Sequence, residues 1–271
     1  MHPILLKVGP IVIRYYGMMY VIAITLGFYL LLKEVRRKGL PLSTEDLFDL
    51  LLWTIPVAIL GARIYYVAFQ WSYYSHHLFD IVKVWEGGLA IHGGVIAGAI
   101  VVYIFSKVKK AAFWALTDAL SPSLILGQAI GRIGNLMNGD AYGLPTNLPW
   151  GIHFPHDSPA GMAYPGLATH PSMIYEMVLN LLIFFYLWWI RKKEYHDGFS
   201  TAMYFILYSL ARSLVSFTRA DSLWLGPVRA AHVISAVLVI GFGGFIFWRR
   251  LYQRLTPESA LPSRIDGPVD R

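Results

Sequence analysis

Several ionisable side chains stand inside, or at the edge of, long apolar runs in this sequence, and six of them bear on its chemistry. They are Arg63, His92 in the string HGGVIAG, Arg132 in GRIGNLMNGDAYG, Glu176 in HPSMIYE, Arg212, and Arg219 just past the end of its run. A charge at the centre of a bilayer costs at least about 2.5–3.5 kcal/mol, so each needs a partner or a task. Arg132 and Arg212 are the hardest to assign to scaffold, because a guanidinium cannot shed its proton to escape burial. Guanidinium binds phosphate through two parallel hydrogen bonds and keeps its charge when desolvated. A histidine at the same level offers a base near neutral pH. There is no cysteine, which excludes disulfides, thiolate metal sites and a cysteine nucleophile. No Asp-rich cluster points to a divalent metal, and no G-x-S-x-G supplies a serine elbow.

Several of these residues have plainer readings. Arg14 and Arg219 are equally well read as interfacial anchors that snorkel. Arg63 can be a structural ion-pair partner of Glu176. A lone His92 is more often a satisfied buried histidine, and Asp118 is most simply a helix N-terminal residue favoured by the dipole. Tyrosines and tryptophans at the ends of apolar runs are mostly aromatic-belt residues.

The elements that must position these groups are transmembrane helices. Mean hydropathy is +0.51, 56% of the residues are hydrophobic and only 14% are charged, where soluble domains carry nearer a quarter. Apolar runs of about twenty residues are long enough to cross a bilayer core of roughly 30 Å as helix. A membrane β-barrel would show short alternating strands instead. The expected fold is all-α integral membrane, with about seven spans over residues 13–32, 47–69, 88–105, 115–136, 171–190, 199–217 and 229–248. One membrane domain covers 1–254, and the polar, Pro-containing stretch 255–271 reads as a disordered cytoplasmic tail. The first run is long and no small-residue cleavage site follows it, against a cleaved signal peptide. Gly94-x-x-x-Gly98 and Gly127-x-x-x-Gly131 would let helix backbones approach closely.

Orientation follows from the loops. Lys33, Arg36, Arg37 and Lys38 follow the first run, Lys107, Lys109 and Lys110 the third, Arg191, Lys192 and Lys193 the fifth, and Arg249, Arg250 and Arg254 the seventh. The alternate loops are poor in Lys and Arg, and the long 138–170 loop has none. Basic loops stay inside, so the N-terminus is outside, the C-terminus is cytoplasmic, and the long loop between helices 4 and 5 is extracytoplasmic. The net charge of +7 thus belongs to loops at an anionic membrane surface, not to a nucleic-acid site. In this frame the buried ionisable groups fall in the outer halves of their helices. His92 lies about five residues, roughly 7 Å, below the outer end of its span, and Tyr15, Tyr16 and Arg14 sit at the outer mouth of the first. Long loops are more often functional than idle. These features fit a site that handles an anionic phospholipid headgroup with acid–base capacity, without naming the reaction.

The string Gly131-Arg132-Ile133-Gly134-Asn135-Leu136-Met137-Asn138-Gly139-Asp140-Ala141-Tyr142-Gly143 resembles the signature of the bacterial phosphatidylglycerol–prolipoprotein diacylglyceryl transferase family, G-R-x-(G/A)-N-x-x-N-x-(E/D)-x-x-G. Tyr16-Gly17, His92-Gly93-Gly94, His170-Pro171-Ser172-x-x-Tyr175-Glu176 and Arg212…Arg219-Ala220-Asp221-Ser222 match in the same order, and the likeness runs from about residue 3 to 250. Two positions depart from it. The usual pattern R-F-x-x-E-x-x-R has Ser213 in place of its aromatic and Ser216 in place of its Glu, so the pattern's own Glu does not supply the ion pair that would orient Arg212 or Arg219. Asp140 is one methylene shorter than the commoner Glu.

The resemblance implies transfer of diacylglyceryl from phosphatidylglycerol to the lipobox cysteine thiol of a prolipoprotein, forming a thioether and releasing glycerol phosphate. It implies a multi-pass protein of the bacterial cytoplasmic membrane, whose partners are phosphatidylglycerol, the lipobox region of the precursor and membrane lipids. No cofactor, metal or nucleic acid is expected. The thiol is the nucleophile, so the enzyme needs no cysteine of its own. Arg132 and Arg212 would hold the phosphate, and His92 would assist thiol deprotonation or orient the lipid. Tyr16, Asn135 and Asn138 would hydrogen-bond headgroup oxygens, and Asp140 and Glu176 would orient the arginines, with Arg63 and Arg219 in support. Gly143 would permit a tight turn. A transporter of an anionic or lipid substrate is the main alternative, but it predicts polar groups along a through-path or an inverted repeat, and the inner halves of the runs are nearly uncharged. A seven-helix receptor has little in its favour. An intramembrane Ser216–His92 protease has no supporting motif.

Overall fold

A computed structural model describes residues 3–9 and 11–254; the expected tail at 255–271 lies outside the described residues. A hairpin of β1 (Ile4–Val8) and β2 (Ile11–Arg14) leads directly into α1 (Tyr15–Arg37). α2 (Thr44–Phe69) is followed by the single turn α3 (Trp71–Tyr74) and two 3₁₀ turns, Leu78–Val82 and Val84–Glu86. α4 (Ile91–Val108) and α5 (Phe113–Asn138) come next. The long loop holds β3 (Ile152–His153), α6 (Pro159–Ala163) and β4 (Ala168–Thr169), with β3 and β4 paired antiparallel. α7 (Ser172–Ile190), α8 (Phe199–Ser216), the small hairpin of β5 (Trp224–Leu225) and β6 (Val228–Arg229), and α9 (Ala230–Trp248) complete the described chain.

Long helices occupy all the expected apolar segments. Among the described residues, five are long and apolar enough to cross a membrane: α1, α2, α4, α7 with its following turn, and α9. The protein is therefore a mostly helical, multi-pass membrane protein. α5 and α8 are of similar length, but α5 carries Asp118, Gln128, Arg132 and Asn135, and α8 carries Arg212 among serines and tyrosines. Polar residues in membrane helices face the protein rather than lipid. Consistent with that, α5 buries Asp118, Ser121 and Asn135 to 9% exposure or less.

The chain divides into two compact units, one of Met1–Leu31 with Leu120–Arg271 and one of Leu32–Ala119. In the second, α2 and α4 pack through glycines. Added Cβ atoms at Gly61 and Gly93 would collide with each other's backbone and with Ala97 and Tyr65. Gly94 and Gly98 face Ala58 and Thr54 across the same seam, as the first small-residue motif suggests. The second motif behaves differently: among the described residues a built Cβ at Gly127 makes only an ordinary contact with Ala23 at 3.8 Å and one at Gly131 has nothing within 4 Å, while Gly134 lies against Tyr16. Ser43 and Asp46 form a reciprocal capping box at the start of α2, and Asp46 also pairs with Lys109 beyond α4.

Arg63 organises the connection between α2 and α4. Its guanidinium donates to the carbonyls of Asp80, Ile81, Gly87 and Gly88 and lies 5.2 Å from the Tyr74 ring centroid. Its donors thus go to backbone oxygens, where the sequence suggests an ion pair with Glu176. Gly87 and Gly88 hold φ of 92° and 69°, a region closed to most side chains, so α4 begins only at Ile91. His92 is consequently in the first turn of α4, exposed, with its ring 6.0 Å from that of Tyr65, and not five residues into the helix. On the same connection Asp80 bonds to Lys83 at 2.7 Å and accepts from the Tyr73 hydroxyl at 2.9 Å. These bonds hold the Asp80 carboxyl below the usual carboxylate range and the Lys83 ammonium above its ordinary value.

Two outcomes follow. Gly93→Ala should cost about 1–3 kcal/mol by overpacking, read as a lower detergent melting temperature, whereas Gly241→Ala, with nothing within 4 Å, should not lower it. For Asp80, whose folded pKa is depressed, the stabilisation is present above the ordinary carboxylate value and is lost as pH falls through the folded one. Amide exchange at residues 78–88, corrected for intrinsic rate, should be constant from pH 5 to pH 8 and rise below about pH 4.

Candidate active site

The centre of the first unit is a carboxylate with no contact to solvent. Glu176, one turn into α7, is 0% exposed. Its Oε1 accepts from Arg132 on α5, and its Oε2 lies 3.4 Å from Arg212 Nη1 on α8 and 3.5 Å from Arg219 Nη1 just beyond α8. Removing a carboxylate from water costs several kcal/mol, recovered only with good pairing, and three guanidiniums provide it. Arg219 is also held by Asp221, at 2.8 Å and 2.5 Å, and only 7% of its side chain is exposed. Arg132 and Arg212 share Glu176 and remain 19% and 28% exposed. These two therefore keep donors accessible to an anion, while Arg219 is committed to the protein.

A second set of bonds runs from Arg132 along the end of α5. Its Nη1 donates to Asn135 Oδ1 at 3.1 Å. The Asn135 amide donates to the Tyr16 hydroxyl at 2.9 Å and to Asp140. Asn138 donates to the other Asp140 oxygen at 2.8 Å. The local sequence explains this arrangement. Gly139, at φ 72°, ends α5 in the left-handed conformation, and the amides of Gly139 and Asp140 both bond to the Asn135 carbonyl. The chain so reversed brings Asp140 back over the helix end. Asp140 therefore reaches Arg132 at one remove, through Asn135, while Glu176 contacts the arginines directly.

Three distant segments are joined here by backbone. Gly143 N–H donates to the His170 carbonyl, His170 N–H to Leu144, Leu144 N–H to Thr218, and Ala220 N–H to Tyr142, at 2.8–3.2 Å. Ser172 and Thr218 hydroxyls meet at 2.8 Å. This junction ties the end of α5, the start of α7 and the end of α8, which is what brings Arg132, Glu176, Arg212 and Arg219 together. Gly143 is required by proximity rather than by a turn, because a Cβ there would lie 2.6 Å from both the His170 carbonyl oxygen and Ser172 Oγ.

Tyr16, Arg132, Asn135, Asn138, Asp140, Glu176, Arg212 and Arg219 thus form one connected set in the first unit, with Gly143 at its backbone junction. Arg63 and His92 belong to the second unit. Sequence reasoning missed Asp221 as the partner of Arg219. It also missed Tyr208, one turn before Arg212 and within electrostatic reach of Glu176 and all three arginines. The helical spacing Tyr204, Tyr208, Arg212, with Gln128 four residues before Arg132, was a usable signal, and Gln128 does bond to Tyr204 at 2.8 Å. Ser216 is buried at 1% exposure and its Oγ has no hydrogen-bond partner among the described residues; the arginines on either side of it are paired by Glu176 and Asp221 instead.

Comparison with known proteins identifies the family. The family model described as prolipoprotein diacylglyceryl transferase matches residues 3–248. The phosphatidylglycerol–prolipoprotein diacylglyceryl transferase of Trichormus variabilis is 40% identical, covering 99% of this chain and 95% of its own. The protein of the same name from Geobacillus kaustophilus is 42% identical over 88% of each, and that of Thermosynechococcus vestitus 39% over 92% of each. The chain belongs to the prolipoprotein diacylglyceryl transferase family.

Proposed function

We propose that this protein transfers the diacylglyceryl group of phosphatidylglycerol to the lipobox cysteine of prolipoproteins, releasing glycerol phosphate. The observation that carries the reading is the pair Arg132 and Arg212, converging on one buried carboxylate yet still partly exposed. The sulfur of the precursor attacks the glycerol carbon that bears the phosphate. The carbon–oxygen bond breaks and its electron pair leaves on glycerol phosphate. A phosphate monoester is a weak base and needs no strong general acid, so the larger task is to stabilise its departing charge. Guanidiniums fixed in advance by Glu176 do this without reorganising during the reaction.

The remaining groups have supporting roles in this reading. Tyr16, Asn135 and Asn138, oriented by Asp140, border the headgroup. Arg219 and Asp221 hold the end of α8, and Gly143 lets three strands of backbone meet. His92 either accepts the thiol proton or orients the lipid, and Arg63 fixes the loop that precedes it. One transferase domain spans 1–254, ahead of the tail at 255–271. Seven spans place the N-terminus outside and the C-terminus in the cytoplasm of a bacterial inner membrane; the four basic clusters in alternate loops support this orientation.

In purified enzyme given labelled phosphatidylglycerol and a lipobox peptide, Arg132→Lys and Arg212→Lys should each slow transfer roughly 10²–10³-fold, as expected for loss of a preorganised donor; near-normal rates would remove the arginine grip from the mechanism. Glu176→Gln leaves three guanidiniums without their shared anion and should destabilise the fold by about 3–5 kcal/mol, measured by thermal unfolding in detergent. Partial recovery of that stability on adding phosphatidylglycerol is expected, because the lipid phosphate supplies the missing negative charge.

A further inference from the structure

Choosing one lipid headgroup over another needs a polar side chain that is both beside the phosphate site and open to solvent. Most titratable groups near the arginine site are engaged. Glu176 is fully buried among three guanidiniums, and Asp140 accepts from two asparagine amides. His170 Nδ1 faces the Tyr175 hydroxyl at 3.3 Å, and that hydroxyl already accepts from Trp150. His232 Nδ1 lies 2.7 Å from Ser213 Oγ. Asp221 is different, because 41% of its side chain is exposed.

One guanidinium ties Asp221 to the phosphate-gripping pair. Arg219 Nη1 and Arg212 Nη1 lie 3.5 Å and 3.4 Å from the same Glu176 oxygen. Arg219 turns its other edge, Nε and Nη2, to the two oxygens of Asp221 at 2.8 Å and 2.5 Å. A carboxylate has about four lone-pair sites, so Arg219 leaves acceptor capacity on both oxygens. Asp221 follows the end of α8, past Arg212 and outside the apolar helix. A lipid with its phosphate at Arg132 and Arg212 lays its acyl chains along the apolar helices and turns its headgroup the other way, toward Asp221. Tyr142 completes the place. Ala220 N–H donates to the Tyr142 carbonyl at 3.2 Å, which sets Tyr142 beside Asp221. Its ring meets that of Tyr164 edge-on, with centroids 6.0 Å apart, and its hydroxyl has no hydrogen-bond partner among the described residues. Burial, with the Asp221 charge in addition, holds that hydroxyl above its ordinary pKa, so it remains a donor at neutral pH.

We infer that Asp221, with Tyr142 beside it, recognises the terminal diol of the phosphatidylglycerol headgroup and so sets which lipid donates. The inference rests on the transferase reading above. The two diol hydroxyls donate to the open lone pairs of the Asp221 oxygens, and the Tyr142 hydroxyl donates to a diol oxygen. Arg219 already balances the Asp221 charge, so the carboxylate offers acceptor sites rather than net negative charge. That suits a neutral diol better than an ammonium headgroup. The bond that breaks lies on the far side of the phosphate from the diol, so these contacts are to the leaving group and last through its departure. Asp221 is thus a specificity-determining residue, and Arg219 is the residue that positions it.

The test uses full-length enzyme, a lipobox peptide and two donor lipids with the same acyl chains. One is phosphatidylglycerol; the other is phosphatidyl-1-propanol, whose headgroup has the same three carbons and no hydroxyl. Wild-type kcat/KM should favour phosphatidylglycerol by at least about tenfold, less than a fully buried diol site would give, because water reaches part of Asp221. Asp221→Ala should bring that ratio below about threefold. Tyr142→Phe, which keeps the ring and its packing, should lower the ratio at least about twofold. A merely structural loss, such as loosening of Arg219, slows both lipids alike and leaves the ratio intact. A wild-type ratio near one, or a ratio that survives either substitution, overturns the inference; where Asp221→Ala transfers from neither lipid, Tyr142→Phe decides. Wild-type enzyme that transfers from neither lipid refutes the transferase reading and this inference together, a result distinct from the others.

Discussion

The Glu176 carboxylate and the three guanidiniums around it form the contact on which the first unit depends. The Glu176 carboxylate, with no solvent exposure, needs cations around it, and the guanidiniums drawn to it share its charge. The mutual requirement draws α5, α7 and α8 to one point. It also leaves an imbalance, because one anion is shared between Arg132 and Arg212 and neither is fully covered. In the proposed reading a phosphate arriving there completes the arrangement instead of disrupting it, so the interaction that holds the helices together would also prepare the site for its ligand.

Backbone geometry makes that convergence possible. Residues 142–144, 168–170 and 218–220 bond to one another at the ends of three helices, and such bonds satisfy polar groups that no water would otherwise reach. Two glycines serve the junction differently. Gly139 supplies a left-handed residue that stops α5, whereas Gly143 supplies the absence of a side chain where the His170 carbonyl passes. In the second unit the same economy recurs at Gly61 and Gly93, where helix backbones meet, and at Gly87 and Gly88, whose carbonyls face Arg63.

Much of the fold was legible beforehand because bilayer thickness imposes a length on every span. Apolar runs of that length could hardly be anything but helices, and the helices begin and end within a few residues of the expected bounds. The small elements were not legible. The hairpin of β1 and β2, the 3₁₀ turns after α3 and the pairing of β3 with β4 are set by a handful of local bonds, with no periodic hydrophobic pattern. His92 shows the consequence: a few residues of non-helical backbone before α4 moved it from the body of a span to its first turn.

The sequence by itself determined that guanidiniums would be carried into an apolar environment, since residue type and the cost of burial are both properties of the chain. It also determined the family, through the spacing of Gly131 to Gly143 and the motifs around it. Only the tertiary structure decided which groups meet. Arg63 binds carbonyls and not Glu176, Asp140 serves the asparagines before the arginines, Asp221 takes up Arg219, and Ser213 finds His232. Pairing of this kind depends on the rotation and offset of helices far apart in sequence, which a linear pattern does not encode, because each polar group accepts whichever partner the packing of larger apolar surfaces brings within about 3 Å.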